Sequence, residues 1–171
     1  MRHARRRTIA VATAALAFAA LAPSGAHAQD GDGSARAFGV RGIGPRIGLS
    51  IDPDQLHLGG HLDLGDLGRR VNLMSSLEVG FGDDLVVLTL MADVVYRFPE
   101  IGSGWMPYAG GGLGPVFVSV DGGGDDTELG LTGQGGLARR TSGGSLFFIE
   151  MKLGLIETPD VKFTVGWTFA R

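Results

Sequence analysis

The 171 residues carry 15 Lys and Arg against 18 Asp and Glu, 30 glycines and no cysteine. A chain without cysteine has neither a disulfide scaffold nor a lipidated N-terminal thiol, and an acidic balance, a net of −3, argues against nucleic acid as a partner. The glycines follow no three-residue period, so their abundance is not that of collagen.

Taken from the start, Arg2, Arg5, Arg6 and Arg7 precede an apolar run from Ile9 to Leu21, followed by Pro23, Ser24, Gly25 and an Ala26-His27-Ala28 step. A charged start, a short apolar centre and an A-x-A exit predict a cleavable signal peptide over 1–28. The run is too short for a transmembrane helix, which needs about 20 residues. Removing the four arginines leaves 11 basic against 18 acidic residues, a net of −7 for the remaining chain. Gln29 to Ala37 is small and polar and reads as a flexible lead-in, leaving 38–171 as one domain.

Beyond it, period-two alternation recurs about every 15 residues and no helical period is sustained. The first segment, 38–51, is Gly-rich. Next, Leu56, Leu58, Leu62 and Leu64 oppose His57, Gly59, His61 and Asp63; then Val71, Leu73, Leu77, Val79 and Phe81 oppose Asn72, Met74, Ser76, Glu78 and Gly80. The clearest strand runs from Leu85 to Phe98. Val86, Leu88, Leu90, Ala92, Val94, Tyr96 and Phe98 share one face, against Val87, Thr89, Met91, Asp93, Val95 and Arg97 on the other. Two Gly-rich segments follow, 105–120 and 128–139. Phe147, Ile149, Met151 and Leu153 then oppose Phe148, Glu150 and Lys152, and Val161, Phe163, Val165, Trp167 and Phe169 oppose Lys162, Thr164, Gly166 and Thr168.

That makes eight strands, separated by turn-forming clusters at 52–54, 65–70, 82–84, 99–104, 121–126, 141–144 and 158–160. Every connection is short enough for a hairpin. The expected fold is all-β: an eight-stranded antiparallel up-and-down barrel. Pro45 and Pro115 fall inside strands, where each removes a ladder donor, and are expected to mark bulges or bends.

Alternation alone fits two opposite objects. A soluble calyx turns its apolar face inward around a ligand, whereas a membrane barrel turns it out to lipid. Three features favour the membrane barrel. The polar face is small and sparsely charged, unlike a surface that faces water. Its charges cancel: Arg46, Arg97, Lys152 and Lys162 stand against Asp63, Glu78, Asp93 and Glu150, as a confined interior network requires. Tyr96, Phe98, Trp105, Tyr108, Trp167 and Phe169 cluster near strand ends, where aromatic girdles meet lipid interfaces.

The connections carry a second pattern. Alternate ones hold Asp52, Asp54, Asp83, Asp84, Asp121, Asp125, Asp126, Glu157 and Asp160 and no Lys or Arg. The other three, with adjoining strand ends, hold Arg69, Arg70, Arg139 and Arg140 against Asp66 and Glu100. A meander sends alternate connections to opposite ends, so one rim should be acidic and the other basic.

With its signal peptide, its Pro107-Tyr108-Ala109-Gly110-Gly111-Gly112-Leu113-Gly114 stretch and its last strand ending Val165-Gly166-Trp167-Thr168-Phe169, the chain resembles the small outer-membrane β-barrel proteins of the OmpA/OmpX type. The likeness spans nearly all of 38–171 and is one of pattern. It implies residence in the outer membrane, contact with its lipids and with the barrel-assembly machinery, termini in the periplasm and the acidic rim outside. Such proteins usually end on an aromatic residue; here Ala170 and Arg171 follow Phe169.

Eight strands leave room for side chains and not for a diffusion pore, so the eight interior charges read as a plug. His57 and His61 lie about 13–14 Å apart along their strand, too far to share one ion. Either is a candidate base for a lipid-modifying enzyme, with Ser50 or Ser119 as nucleophile; the plainer reading is a satisfied interior histidine. Asp121-Gly122-Gly123-Gly124-Asp125-Asp126 lacks EF-hand spacing, and reads as a solvated acidic tip with divalent cations as candidate bridges to lipid phosphates. No residue pattern names a catalytic site or a cofactor. The first functional reading is a structural or surface-interaction barrel, the second a soluble exported calyx for an apolar ligand, and the third an outer-membrane lipid-modifying enzyme.

Overall fold

A computed structural model describes residues 39–171; the signal segment 1–28 and the lead-in 29–37 lie outside the described residues. Eight strands follow in chain order: β1 (Gly42–Ile51), β2 (Gln55–Gly68), β3 (Val71–Phe81), β4 (Leu85–Arg97), β5 (Trp105–Val120), β6 (Asp125–Arg140), β7 (Leu146–Ile156) and β8 (Val161–Ala170). Each pairs antiparallel with the next, and β1 pairs with β8 through partners such as Ile47 and Val165, closing the barrel. Closure removes both sheet edges.

The parity of the strands decides the solvent. Leu49, Leu129 and Leu155 are 59%, 60% and 62% exposed on the outer wall, whereas Asp93 and Lys162 are 2% and 6% exposed inside. A calyx has the reverse arrangement, so the apolar-ligand reading is overturned: the oily face points out. Hydrocarbon is the solvent that makes such a wall favourable.

Several boundaries differ from the sequence reading. The expected turn at 65–70 shrinks to Arg69 and Arg70, because β2 continues to Gly68 through register shifts at Asp63/Gly65 and Asp66/Gly68. Gly65, at φ 96°, absorbs the first shift, and Asn72 braces it by donating to the Gly65 carbonyl at 3.0 Å. β6 begins at Asp125, inside the expected 121–126 turn, because Asp125 and Asp126 pair with Ser119 and Val118. Neither proline causes a bulge. Pro45 pairs with Gly60 and Pro115 with Leu129, and the ladder merely lapses on the opposite side, toward β8 and β4, without a change of register. A missing N–H costs one rung and need not bend the strand.

Inward glycines make room in the narrow lumen. A Cβ on Gly166 would stand 2.5 Å from Cζ of the inward Phe148 and 2.7 Å from the Pro45 carbonyl oxygen; one on Gly136 would stand 2.5 Å from the Tyr108 ring. Gly133 faces outward, and its nearest neighbour would be Leu155 Cδ1 at 4.0 Å. Overpacking typically costs about 1–3 kcal/mol, so Gly166→Ala should lower stability by that amount. Gly133→Ala, with open space beside it, should change stability by less than about 0.5 kcal/mol. Urea unfolding in detergent micelles, followed by tryptophan fluorescence, measures both, and equal effects would contradict the inward and outward assignment.

Candidate functional site: the charged lumen and its two rims

Three acids and three bases meet inside the barrel. Arg46 of β1 lies between Glu78 of β3 and Glu150 of β7: its Nε is 2.9 Å from Glu78 Oε1, and its terminal nitrogen donates to Glu150. The Glu78 contact is an ion pair and not an aligned hydrogen bond, since neither atom finds a well-angled partner. Lys162 of β8 donates to the other Glu78 oxygen, and the Tyr108 hydroxyl donates to Glu150 Oε2 at 3.0 Å. Nearby, Lys152 Nζ bridges both oxygens of Asp93 at 2.9 and 3.0 Å, and Ser76 donates to Asp93 at 3.2 Å. All six charged side chains are buried and their charges cancel. Removed from water, each is tolerable only because opposite charge and hydrogen bonds surround it.

Aromatic rings pack against this network. The Arg46 guanidinium lies over Phe148, 5.6 Å from the ring centre, and His61 meets the same ring edge-on at 5.2 Å. His57 Nε2 bonds to Thr164 Oγ1 at 3.0 Å and His61 Nε2 to Thr168 Oγ1 at 2.8 Å, both strand-to-strand contacts deep in the lumen. Beside the charges Val87, Met91 and Val116 form a small apolar cluster on the β4–β5 wall. The void bounded by Glu78, Lys152, Lys162 and their neighbours has about 10 Å³, roughly the space of one water.

Of the eight charges read from the sequence, Arg46, Glu78, Asp93, Glu150, Lys152 and Lys162 therefore share the lumen. Asp63 and Arg97 do not join them. They sit at the mouth near Gly39 and Arg171, where Arg97 donates to Asp63 at 3.2 Å and Asn72 donates to Asp63 at 2.9 Å. Tyr108 also departs from expectation. It belongs to the lumen and not to the aromatic girdle, and its pairing with inward Arg97 carries the parity that the flat Gly-rich sequence around it conceals.

The candidate catalytic groups form no serine–histidine hydrogen bond among the described residues. His57 and His61 bond to threonines, Ser119 donates to Asp125 at 2.7 Å near the β5–β6 turn, and Ser50 is buried on β1 with its hydroxyl unpartnered. Both histidines face inward, away from the lipid wall.

The two ends carry opposite charge. The turns between β1–β2, β3–β4, β5–β6 and β7–β8 lie at the end away from Arg171 and hold the aspartates and Glu157. Among the described residues no three acids or histidines converge to hold a metal ion. The opposite end is basic and aromatic. Arg139 lies over Trp105 at 5.9 Å, Phe147 packs between Trp105 and Trp167, and Tyr96 meets Phe98 edge-on. Rings with a polar handle suit a membrane–water boundary.

The molecule is thus a closed eight-strand meander with an apolar wall, a polar lumen and an interfacial girdle. The fold is that of the small outer-membrane β-barrels. Neisserial surface protein A superposes with a TM-score of 0.56 at 16% identity, covering 77% of this chain and 96% of that one. The N-terminal barrel of Pseudomonas aeruginosa OprF gives 0.54 at 18%, covering 76% and 98%. The outer membrane enzyme PagL gives 0.50 at 13%, covering 76% and 99%. No family model and no curated protein sequence matches the chain.

Removing one partner of a buried ion pair typically costs about 3–5 kcal/mol. Glu78→Ala, which leaves both Arg46 and Lys162 facing an unfilled space, should destabilise the barrel by that amount. Asp63→Ala, at the half-open mouth, should cost about 1 kcal/mol or less. Urea midpoints in the same lipid vesicles compare the two, and a reversed order would mean the lumen is wetter than its geometry implies.

Proposed function

We propose that the chain is a non-conducting, non-enzymatic barrel of the outer membrane with a structural or surface-interaction role. The observation that carries this reading is the Lys162–Glu78–Arg46–Glu150–Tyr108 chain across the lumen, with Lys152–Asp93 beside it. An ion would have to part charges whose separation costs several kcal/mol each, through a space that holds about one water. Lipid substrates run along the outer wall and His57 and His61 lie on the other side of it, an arrangement that weighs against enzymatic action on them.

The periplasmic placement of the basic end follows from the family likeness, and the acidic turns then face outward. Each spans only three or four residues between strands, so a partner would meet a low rim and the surrounding lipid, not long projecting loops. An acidic rim repels lipid phosphates directly. Divalent cations bridging the two relieve that repulsion.

Two measurements bear on this. The mature protein should fractionate with membranes, migrate differently on gels with and without heating, and give no steady conductance in planar bilayers; a sustained single-channel current would overturn the closed-lumen reading. Separately, a chelator should lower the temperature at which the barrel unfolds in native membranes. An unchanged unfolding temperature would remove the cation bridge.

A further inference from the structure

We propose that the basic pocket at the mouth beside Gly39 and Arg171 is a phosphate-binding site that holds the headgroup of a membrane lipid. The open pocket has a volume of about 400 Å³ and is lined chiefly by Arg41, Asp66, Arg69, Arg70, Arg97 and Phe98. Its walls are the bulged end of β2, the Arg69–Arg70 turn, the end of β4 and the segment entering β1.

Charge within it is unbalanced. Arg41 pairs with Asp66 at 2.9 Å, and Arg97 reaches Asp63 at 3.2 Å and Asp66 at 4.0 Å. Arg69 and Arg70 form no ion pair among the described residues. Four guanidiniums thus face two carboxylates and leave a net of two positive charges, which a phosphate group would neutralise through paired N–H donors of matching geometry.

Two backbone features hold the arginines there. Arg70 sits at φ 73°, a conformation glycine adopts freely and arginine only at a cost. The turn keeps a guanidinium where a smaller residue would fit more easily. At Gly65 a Cβ would stand 2.8 Å from Arg41 Nε, so the missing side chain lets Arg41 lie across the pocket wall.

The choice of a lipid over a free phosphate ion comes from the rim. Phe98 lines the pocket and is exposed, with Tyr96 packed against it at 5.0 Å and Leu67 exposed on the strand that forms the facing wall. Charge above and oil beside it match a headgroup attached to acyl chains. This step rests on the membrane reading; the binding site itself does not.

Calorimetry in uncharged maltoside micelles tests the two parts separately, with a short-chain phosphatidylglycerol and inorganic phosphate as probes. Saturable lipid binding is expected, at least ten-fold weaker in Arg69→Gln/Arg70→Gly, with Phe98→Ala weakening the lipid and not phosphate. Heat-modifiable migration checks that each variant is folded, and Arg69→Glu alone replaces the double variant if that one does not fold. Equal affinity for the two probes, indifferent to Phe98→Ala, would assign the pocket to free phosphate and overturn the lipid. Absence of saturable binding by either probe to folded protein would overturn the site. Neither result bears on where the barrel resides, which the fractionation decides independently.

Discussion

An eight-stranded barrel encloses a lumen only as wide as the side chains that line it, and every polar group turned inward must find its partner there. Arg46 shows the consequence. Its guanidinium reaches both Glu78 and Glu150 from strands on different sides of the barrel, so one residue ties the walls together across the interior. Glycine is the other half of the same constraint. Where Phe148 or Tyr108 projects inward, a neighbouring strand carries Gly166 or Gly136. Large and absent side chains alternate around the lumen, which is how a confined space reaches native packing density.

The ends follow from connectivity. In a meander every second turn returns to the same end, so acidic and basic connections that alternate along the chain become two rims of opposite sign. The basic rim coincides with Trp105, Phe147 and Trp167, and Arg139 joins the two groups by lying over Trp105. Guanidinium, indole and hydrocarbon thus meet within one band, a sequence of environments that fixes how deep a barrel sits in a bilayer.

Strands with bulky residues are legible in the sequence, and strands of glycine are not. β4 and β8 each carry one wholly apolar face and one that holds the polar and charged residues, so the residues alone assign their faces. β5 and β6 pair Gly111 with Gly133 and Gly110 with Gln134; glycine carries no hydropathy signal, and the inward direction of Tyr108 is lost with it. Parity also cannot give depth. It places Asp63 and Arg97 on the inner face, where they are, without showing that they stand at the mouth and not in the central charge network. The bulges in β2 escape notice because Gly65 reads as a turn in sequence, while Asn72, which holds the bulge as strand, lies seven residues away.

The apolar cluster of Val87, Met91 and Val116 explains why so few charges suffice. It occupies part of the β4–β5 wall beside Asp93 of β4, so apolar side chains and ionic groups share the lumen. In that setting a matched pair is stronger and an unmatched charge far more costly. A register slip of one residue at any strand would turn its inner residues to lipid. For β7 that means Glu150 and Lys152 in hydrocarbon, and for β1 it means Arg46, leaving both glutamates without their shared partner. The buried pairs therefore act chiefly against wrong registers, each of which strands several charges at once. Weak stabilisers of the correct barrel are in this way strong discriminators of its one allowed alignment.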